Sequence, residues 1–194
     1  MQKHMTKEIL KSVKLITSAD CIKKDNFFLE GKSTKEKITE HLSLLRDNPK
    51  CRFEVLIDIF AVDYPQKDKR FELIYNLLSI VHNIRLCLKL EIGENDSPPT
   101  VTNIFSTASW FEREVFDMYG IEFTGHPDLR RILSDYGFKG HPMLKDFPLV
   151  GYEEVKYDIE AKKVVYNPID LAQDFRMFDY LSPWKGTEYK KQDK

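Results

Sequence analysis

The stretch FEVLIDIFAVDYPQKDKRFELIYNLLSIVHNIRLCLKLEI, residues 53–92, decides the fold of this chain. From Phe53 to Val62, apolar side chains alternate with positions that are themselves partly apolar, which predicts a β-strand with apolar residues on both faces. Residues 71–78 and 85–92 predict two more strands, separated from their neighbours by a polar loop and a short turn. Three successive strands without intervening helices favour an α+β fold over a doubly wound α/β fold.

Helical patterns flank these strands on both sides. Apolar residues recur at helical spacing in each of three segments, which predicts amphipathic helices that cover the sheet. Two of these segments open with a Ser followed three residues later by a Glu, the spacing of a capping box. The predicted helices are 6–17, 33–45 and 109–119, with capping boxes at Ser33/Glu36 and Ser109/Glu112 and a left-handed glycine end at Gly120.

Beyond residue 119 the chain lacks the pattern of a regular layer. Five of its eight glycines and three of its nine prolines lie between Gly120 and Gly151, so we expect a turned and extended backbone there. A hairpin is predicted over Glu154–Tyr166, and Asn167 with Pro168 predicts the start of a final helix. We therefore expect an α+β fold in two layers, with helices packed on a mixed β-sheet and a long extended C-terminal arm. The expected domains are residues 1–119 and 120–194.

Charge, cysteine and hydropathy patterns exclude several functional classes. Lys and Arg total 30 against 31 for Asp and Glu, and this net charge of -1 does not favour nucleic acid or an anionic membrane. The three cysteines lie far apart and no glycine-rich phosphate loop is present, so we expect no catalytic, cofactor-binding or metal-binding residue. No apolar run reaches the ~18 residues of a spanning helix, so membrane association is expected only through partners.

Three carboxylates lie close together on the third predicted helix. Glu112, Glu114 and Asp117 have the residue types of a general acid and base, which is one interpretation. On a helix, however, Glu114 and Asp117 are i, i+3 neighbours, and Arg113 and Asp117 are an i, i+4 pair. We therefore favour an ion-pair ladder with a structural or interface role over a catalytic one.

The sequence Gly-His-Pro occurs twice, at residues 125–127 and 140–142. His126 and His141 have the ligand chemistry to share a divalent metal with Asp128 or Asp146. Each histidine is held between Gly and Pro in an irregular segment, whereas metal-binding histidines usually lie on a rigid turn or helix. The sequence therefore favours hydrogen-bonded structural histidines.

Basic residues in the same region suggest a nucleic-acid surface or a protein interface. Arg130, Arg131 and Lys145 lie among aromatic side chains that are able to stack on bases. Aspartates such as Asp146 are interleaved with them, so the segment is nearly neutral. Arginine and aromatic residues mixed with acids are typical of a protein–protein interface. The residues expected at that interface are Glu112, Arg113, Glu114, Asp117, His126, Arg130, Arg131, His141, Lys145 and Asp146.

An ordered series of motifs spans roughly residues 53–184. They include Val62-Asp63-Tyr64, Arg70-Phe71-Glu72, Glu112-Arg113-Glu114, Asp117-Met118, Leu129-Arg130-Arg131-Ile132-Leu133, Lys145-Asp146-Phe147-Pro148-Leu149 and Ser182-Pro183-Trp184. In this series the chain resembles the 30 kDa subunit family of respiratory NADH:ubiquinone oxidoreductase, complex I. One departure is Leu144, where members of the family usually have Arg.

This resemblance implies a cofactor-free structural subunit of the peripheral arm of a proton-pumping enzyme. It implies that FMN, iron–sulfur clusters and ubiquinone are bound by partner subunits, and that the chain packs against the large quinone-site subunit of the assembly. The isolated chain is then expected to be inactive. The alternative is the equivalent subunit of a membrane-bound hydrogenase or a ferredoxin- or F420-type oxidoreductase.

The amino terminus, residues 1–16, bears on location. It lacks the apolar core of a secretory signal and the Arg- and Ser-rich character of a transit peptide. With the resemblance, this favours an organelle-encoded subunit on the matrix side of the mitochondrial inner membrane. The alternative is the cytoplasmic face of a bacterial inner membrane.

Overall fold

The computed structural model describes residues 2–17, 22–25, 28–173 and 176. The chain divides into two compact units, and the boundary lies between Leu149 and Val150. The sequence predicted a boundary at residue 120 instead. The difference arises because residues 120–149, although irregular, are hydrogen-bonded to the α+β domain at many points and belong to the first unit.

A five-stranded mixed sheet forms the centre of the first unit. Its strands are β1 (Ile22–Asp25), β2 (Phe28–Ser33), β3 (Val55–Asp63), β4 (Phe71–Ser79) and β5 (Ile84–Ile92), in the order β1-β2-β5-β4-β3. Strand β2 runs parallel to β5, from Phe28 opposite Arg85 to Ser33 opposite Leu90, and the other pairs are antiparallel. The predicted mixed sheet and the three central strands are confirmed.

Three helices pack with this sheet around one apolar core. They are α1 (Gln2–Thr17), α2 (Ile38–Asp47) and α3 (Ala108–Tyr119). Helix α1 contacts β2 and α2, and α3 contacts β3. Buried side chains of all three helices, including Val13, Leu42 and Val115, join strand residues such as Leu73 and Leu88 in one cluster. The predicted α+β class in two layers is confirmed. None of the described helices is long and apolar enough to cross a membrane.

The predicted capping boxes do not form, although the helices do. Helix α2 begins after Lys37 and α3 after Thr107, and neither residue caps its helix with a side-chain hydrogen bond. Glu112 does not take part in capping because its carboxylate binds a neighbouring loop. The predicted left-handed end of α3 is confirmed: Gly120 has φ 77°, and its N–H donates to the carbonyl of Phe116.

The second unit contains the predicted hairpin, with strands β6 (Glu153–Asp158) and β7 (Lys163–Pro168). Val155 lies opposite Tyr166 and Tyr157 opposite Val164, so these four exposed side chains share one face. The predicted final helix does not begin at Pro168. That residue pairs with Glu153 at the end of β7, a position where a strand tolerates proline, and residues 169–173 are not helical. The greater part of the chain after residue 173, where that helix was expected to continue, lies outside the described residues.

Candidate interaction site around helix α3

Helix α3 holds residues 120–149, hereafter the docked segment, against the domain. The Asp117 side chain is fully buried. Its Oδ1 accepts a 2.7 Å hydrogen bond from Arg131 Nη1, and its Oδ2 accepts the backbone N–H groups of Ile132, Leu133 and Ser134 at 2.8–3.0 Å. One carboxylate of α3 thus orders a run of irregular chain, from Arg131 to Ser134, around a single point.

The charge state of Asp117 follows from these donors. Burial alone raises the pKa of a carboxyl group, because it disfavours the charged form. Here the backbone N–H of Ser134, the Arg131 guanidinium and the two other N–H groups outweigh burial and hold the pKa of Asp117 well below its usual range. Asp117 is therefore a permanent anion that is neutralised by its neighbours.

Arg113 binds the docked segment by a second route. Its Nε and Nη2 donate to the carbonyl oxygens of Arg130 and Arg131, each at 3.1 Å, and its guanidinium lies over the ring of Trp110. The predicted ladder between Arg113 and Asp117 within the helix is therefore wrong. Both side chains are directed to the docked segment because its unpaired backbone groups need partners when the helix face is buried.

Glu112 differs from Asp117 although both are fully buried on the same helix. Among the described residues, it accepts hydrogen bonds from the backbone N–H of Val101 at 2.8 Å and the hydroxyl of Thr100 at 2.6 Å. Burial raises the pKa of Glu112 to about 7, although these two hydrogen bonds favour the carboxylate. Glu112 therefore fastens the loop before α3 with a group that titrates near neutral pH.

Both histidines of the repeated Gly-His-Pro sequence are hydrogen-bonded to the backbone. His126 Nδ1 accepts the N–H of Asp128, so its Nε2 carries the hydrogen and lies 3.2 Å from the Ser109 carbonyl. His141 Nδ1 lies 2.9 Å from the carbonyl of Asp117 and donates to it. Among the described residues, no cluster of three or more metal-ligating side chains occurs.

A second group of hydrogen bonds, hereafter the clasp, joins the docked segment to the sheet through Asp63 and Arg70. Asp63, at the end of β3, is buried and receives two hydrogen bonds from Arg70, at 2.8 and 3.0 Å. Asp63 Oδ2 also accepts the N–H of Lys145, and Arg70 reaches Asp146 and Glu94. The hydrogen bonds from Arg70 hold the pKa of Asp63 below its usual value. Lys145 thus contributes its backbone N–H, not its ammonium group, to this clasp.

The two remaining predicted interface residues, Glu114 and Arg130, face solvent. Glu114 is exposed, and exposed Arg130 pairs with Asp128 at 3.0 Å. Leu144, where the resemblance leads us to expect Arg, is partly buried and packs against the chain's own apolar core. Apolar packing within this subunit thus accounts for a leucine at this position.

The outer side of the docked segment is apolar and exposed. Tyr136 is 85% exposed, Leu149 81% and Leu133 64%, values at which large apolar side chains gain little from folding of this chain alone. Trp110 of α3 and Met143 are also exposed. A surface of this composition is typical of a protein-binding site.

Sequence reasoning missed several residues that build the site. Asp63 and Arg70 were noted only as parts of motifs, and Thr100 was not noted. A buried Asp at the end of an apolar strand, seven residues before an Arg at the start of the next, is a signal of a pair across a hairpin. Thr100 has no comparable signal, because its partner depends on the tertiary fold.

The family model described as "Respiratory-chain NADH dehydrogenase, 30 Kd subunit" matches residues 32–153, more than half of the chain. The chain belongs to this family. The match covers the sheet strands from the end of β2, helices α2 and α3, and the docked segment. The resemblance that the motifs indicated is therefore confirmed.

Similar proteins carry names that agree with this family. The C subunit of the NADH-quinone oxidoreductase of Wolbachia sp. subsp. Brugia malayi (strain TRS) is 77% identical over 154 residues, 79% of this chain and 81% of that protein. The C subunit of the NADH-quinone oxidoreductase of Rhodospirillum rubrum is 56% identical over 154 residues, 79% and 72% of the two chains. These relatives are bacterial, so the predicted mitochondrial location is not supported and the bacterial alternative is favoured.

Two solved structures share the fold. "Nqo5 of the trypsin-resistant fragment (1-134)" is 27% identical with a TM-score of 0.56, and the match covers 64% of this chain and 99% of that one. A chain from the membrane-bound sulfane sulfur reductase, described as an archaeal respiratory membrane complex, is 26% identical with a TM-score of 0.65, over 74% and 86% of the two chains. Both solved chains are similar in architecture to this chain.

Proposed function

We propose that the chain is a structural subunit of a bacterial NADH-quinone oxidoreductase, complex I. Its role is to hold the docked segment and the hairpin of the second unit in a form that packs against the large quinone-site subunit of the assembly. In this way it supports electron transfer from NADH to quinone without taking part in the chemistry. Its location is the cytoplasmic face of the inner membrane, where partner subunits attach it.

The observation that carries this proposal is the way the docked segment is built. Its backbone is tied inward through Asp117, Arg113 and Asp63, while its large apolar side chains point outward. Ordering an irregular segment costs about 1–2 kcal/mol per residue, and a segment that is ordered while several of its large apolar side chains stay in water favours a further partner. The family membership identifies the kind of assembly that supplies that partner.

The chain itself holds no cofactor in this proposal. FMN and iron–sulfur clusters require a phosphate-binding loop or a set of cysteine thiolates, and quinone requires an apolar cleft. The described cysteines, Cys51 in the turn before β3 and Cys87 on β5, are both buried. We therefore assign the redox groups and the quinone site to partner subunits, and expect the purified chain to be colourless and inactive with NADH.

Photocrosslinking tests the partner. A photoreactive phenylalanine at Tyr136, in complex purified through a tag on this chain, is expected to crosslink to the large quinone-site subunit. The matched control is the same group at Ile80, which is exposed. Ile80 follows the last residue of β4 and Arg70 precedes the first, so the nine strand residues separate the two by roughly 30 Å. The control is expected to give no such crosslink. Crosslinks from Tyr136 to another subunit, or to none, contradict the proposed interface.

Assembly measurements separate a structural role from a catalytic one. Arg131→Ala leaves Asp117 buried without its cation and is expected to deplete assembled complex on a native gel while the NADH:quinone rate per assembled complex is retained. Arg130→Ala, which removes an exposed ion pair next to it, is expected to leave assembly unchanged. Normal assembly of Arg131→Ala with a rate reduced ~100-fold indicates proton transfer instead.

The related archaeal complex offers a second candidate. The chain's likeness to a subunit of a membrane-bound sulfane sulfur reductase is compatible with an assembly that uses another electron donor or acceptor. The 77% identity to a subunit of an NADH-quinone oxidoreductase favours NADH and quinone. Assay of the purified complex with NADH against reduced ferredoxin as donor distinguishes the two.

A further inference from the structure

The hydroxyl of Thr100 lies between two oxygen atoms. Its Oγ1 is 2.6 Å from Glu112 Oε2 and 3.1 Å from Thr102 Oγ1, and it accepts the N–H of Thr102 at 3.3 Å. A hydroxyl has a single hydrogen, so Thr100 donates to only one of these oxygens at a time. Which oxygen receives it depends on whether Glu112 carries a proton.

Two arrangements of the hydrogen atoms are compatible with the same positions of the heavy atoms. When Glu112 is ionised it is an acceptor only, so the Thr100 hydrogen points to Glu112. When Glu112 is protonated, its O–H donates to Thr100, and Thr100 then donates to Thr102. The Val101 N–H donates to the other carboxyl oxygen in both arrangements and keeps the group in place. Protonation thus reverses the direction of the hydrogen bonds without moving the heavy atoms that they join.

We propose that Glu112 is a buried proton-binding site and that Thr100 and Thr102 form the path by which its proton exchanges with solvent. Glu112 is fully buried, whereas Thr100 and Thr102 on the loop before α3 are both half-buried, so the hydrogen-bonded oxygens connect a buried carboxyl group to residues that reach solvent. On release, the carboxyl proton passes to Thr100, the Thr100 hydrogen to Thr102 and the Thr102 hydrogen to water. The products are a carboxylate, two neutral hydroxyls and a hydronium ion.

The surroundings of Glu112 favour the bound proton. No ion pair with Lys or Arg is formed by Glu112 in the described part of the chain, because Arg113 donates to the docked segment instead. The titratable groups facing it are His126 of the docked segment, with Nε2 3.8 Å away, and Tyr75 of β4. Burial, and then the Glu112 charge, raises the pKa of Tyr75 far above its usual range, so Tyr75 remains neutral.

Tyr75, whose pKa is raised by burial and also by the Glu112 charge, is a further buried polar residue of β4. Its side chain is fully buried, and its hydroxyl has no hydrogen-bond partner among the described residues. A buried hydroxyl without a partner is uncommon, because it loses a hydrogen bond to water on folding. The site belongs to the folded chain itself and does not depend on the partner of the subunit.

Infrared titration of the full-length chain tests the proton site. The wild-type protein is expected to have a carboxylic acid C=O band that disappears with a midpoint near neutral pH. The band is expected to be absent in Glu112→Gln and retained in Glu114→Gln, which changes an exposed carboxylate two residues away on the same helix. Absence of a protonated carboxyl in the wild type between about pH 5 and 9, or its persistence in Glu112→Gln, overturns the proposal.

Threonine variants test the proton path, and their outcome does not depend on whether the Glu112→Gln variant folds. Thr100→Val removes a donor to the carboxylate and is expected to raise the midpoint by about one pH unit, whereas Thr100→Ser leaves it in place. Thr102→Val is expected to slow hydrogen–deuterium exchange of the acid proton at least tenfold, and Thr102→Ser is expected to exchange like the wild type. A midpoint lowered by Thr100→Val, or unchanged exchange in Thr102→Val, refutes the assigned path.

Discussion

Asp117 and Glu112 lie on one helix and are both fully buried, yet their carboxyl groups have opposite tendencies to ionise. Asp117 receives an arginine and three backbone N–H groups, so its carboxylate is stabilised more than burial destabilises it. Glu112 receives one N–H and one hydroxyl, and burial prevails. The larger number of donors and the charge of one of them make Asp117 the fixed anion of the two.

Substitution of Asp117 tests this assignment. Asp117→Asn keeps the size of the side chain but turns an NH₂ group toward donors, so at least one buried N–H or guanidinium loses its acceptor. We expect the free energy of unfolding to fall by about 2–4 kcal/mol, measured by urea denaturation. The control Glu114→Gln is exposed and should stay within about 0.5 kcal/mol of the wild type. Equal stability of all three proteins would falsify the assignment.

Glu112 predicts a distinctive dependence of stability on pH. Its pKa is raised from 4.5 to about 7 in the folded chain, so the proton is bound more tightly when the chain is folded. This contribution is complete below about pH 4.5 and is lost as pH rises through 7, with a total of about 3 kcal/mol at 1.36 kcal/mol per pKa unit. Wild type compared with Glu112→Gln in urea titrations between about pH 4.5 and 8 should reveal it. A constant difference across that range contradicts the raised pKa.

At the scale of elements, the end of α3 and the docked segment are fitted to each other at Gly120. The φ of this glycine is 77°, and a Cβ added there would lie 2.8 Å from the ring of His141, which is fixed by its hydrogen bond to Asp117. The left-handed backbone alone costs an L-residue about 1–2 kcal/mol. Gly120 therefore serves both the turn and the close approach of His141.

Gly120→Ala is expected to destabilise the chain by about 2 kcal/mol or more, because strain and the contact with His141 add. Gly137→Ala is the control, since a Cβ at Gly137 meets nothing within 4 Å among the described residues and its φ is not positive. Thermal denaturation of both variants measures the difference. If the two midpoints coincide, His141 does not pack against the helix end as described.

The clasp between β3, β4 and the docked segment depends on the fork of Arg70. A lysine at this position is unable to bind both oxygens of Asp63 and also reach Asp146, so Arg70→Lys should loosen the Lys145 amide that Asp63 accepts. We expect hydrogen exchange of that amide to rise about tenfold, equivalent to about 1.4 kcal/mol. Arg52→Lys, which changes an exposed arginine paired with Glu54, should leave it unchanged. Unaltered exchange in Arg70→Lys argues against the clasp.

Sequence reasoning succeeded for elements with strong local signals. Strands β3, β4 and β5 begin and end within about two residues of the predicted positions, because their apolar periodicity reflects burial in one sheet. Strands β1 and β2 were not predicted, since IKKD and FLEGKS carry charges and Gly31 and lack that periodicity. The structure of β2 comes from pairing with β5, which is remote in sequence.

The residues of the site were predictable from the sequence, but the contacts that they make were not. Asp117, Arg131 and His141 were identified as structural residues, yet their partners depend on the path of an irregular segment. The Arg113–Asp117 pair illustrates the limit: helical spacing permits it, but backbone carbonyls and N–H groups of the docked segment bind both side chains instead. Local patterns do not encode that competition.

At the scale of the whole molecule, we expect the first unit to be sufficient for folding and the second unit to contribute to assembly. Every residue of the apolar core cluster lies between Ile9 and Leu144, so a chain that ends at Leu149 keeps the entire core. We expect this shortened chain to unfold cooperatively with a midpoint within about 4 °C of the full-length chain, measured by circular dichroism. The same truncation should deplete the assembled complex, because it removes the apolar face of the hairpin. Loss of cooperative unfolding would place part of the core beyond Leu149.

The parallel pairing of β2 with β5 also governs the order in which the chain is completed during synthesis. Residues 28–33 leave the ribosome early, but their hydrogen-bonding partners, residues 85–90, follow more than fifty residues later. The β3–β4–β5 meander is local and closes rapidly, whereas β2, paired only with β1 on its other side, must wait with one edge unpaired until the meander has emerged. The amino-terminal third of this subunit is therefore the part of the nascent chain that most requires protection by chaperones.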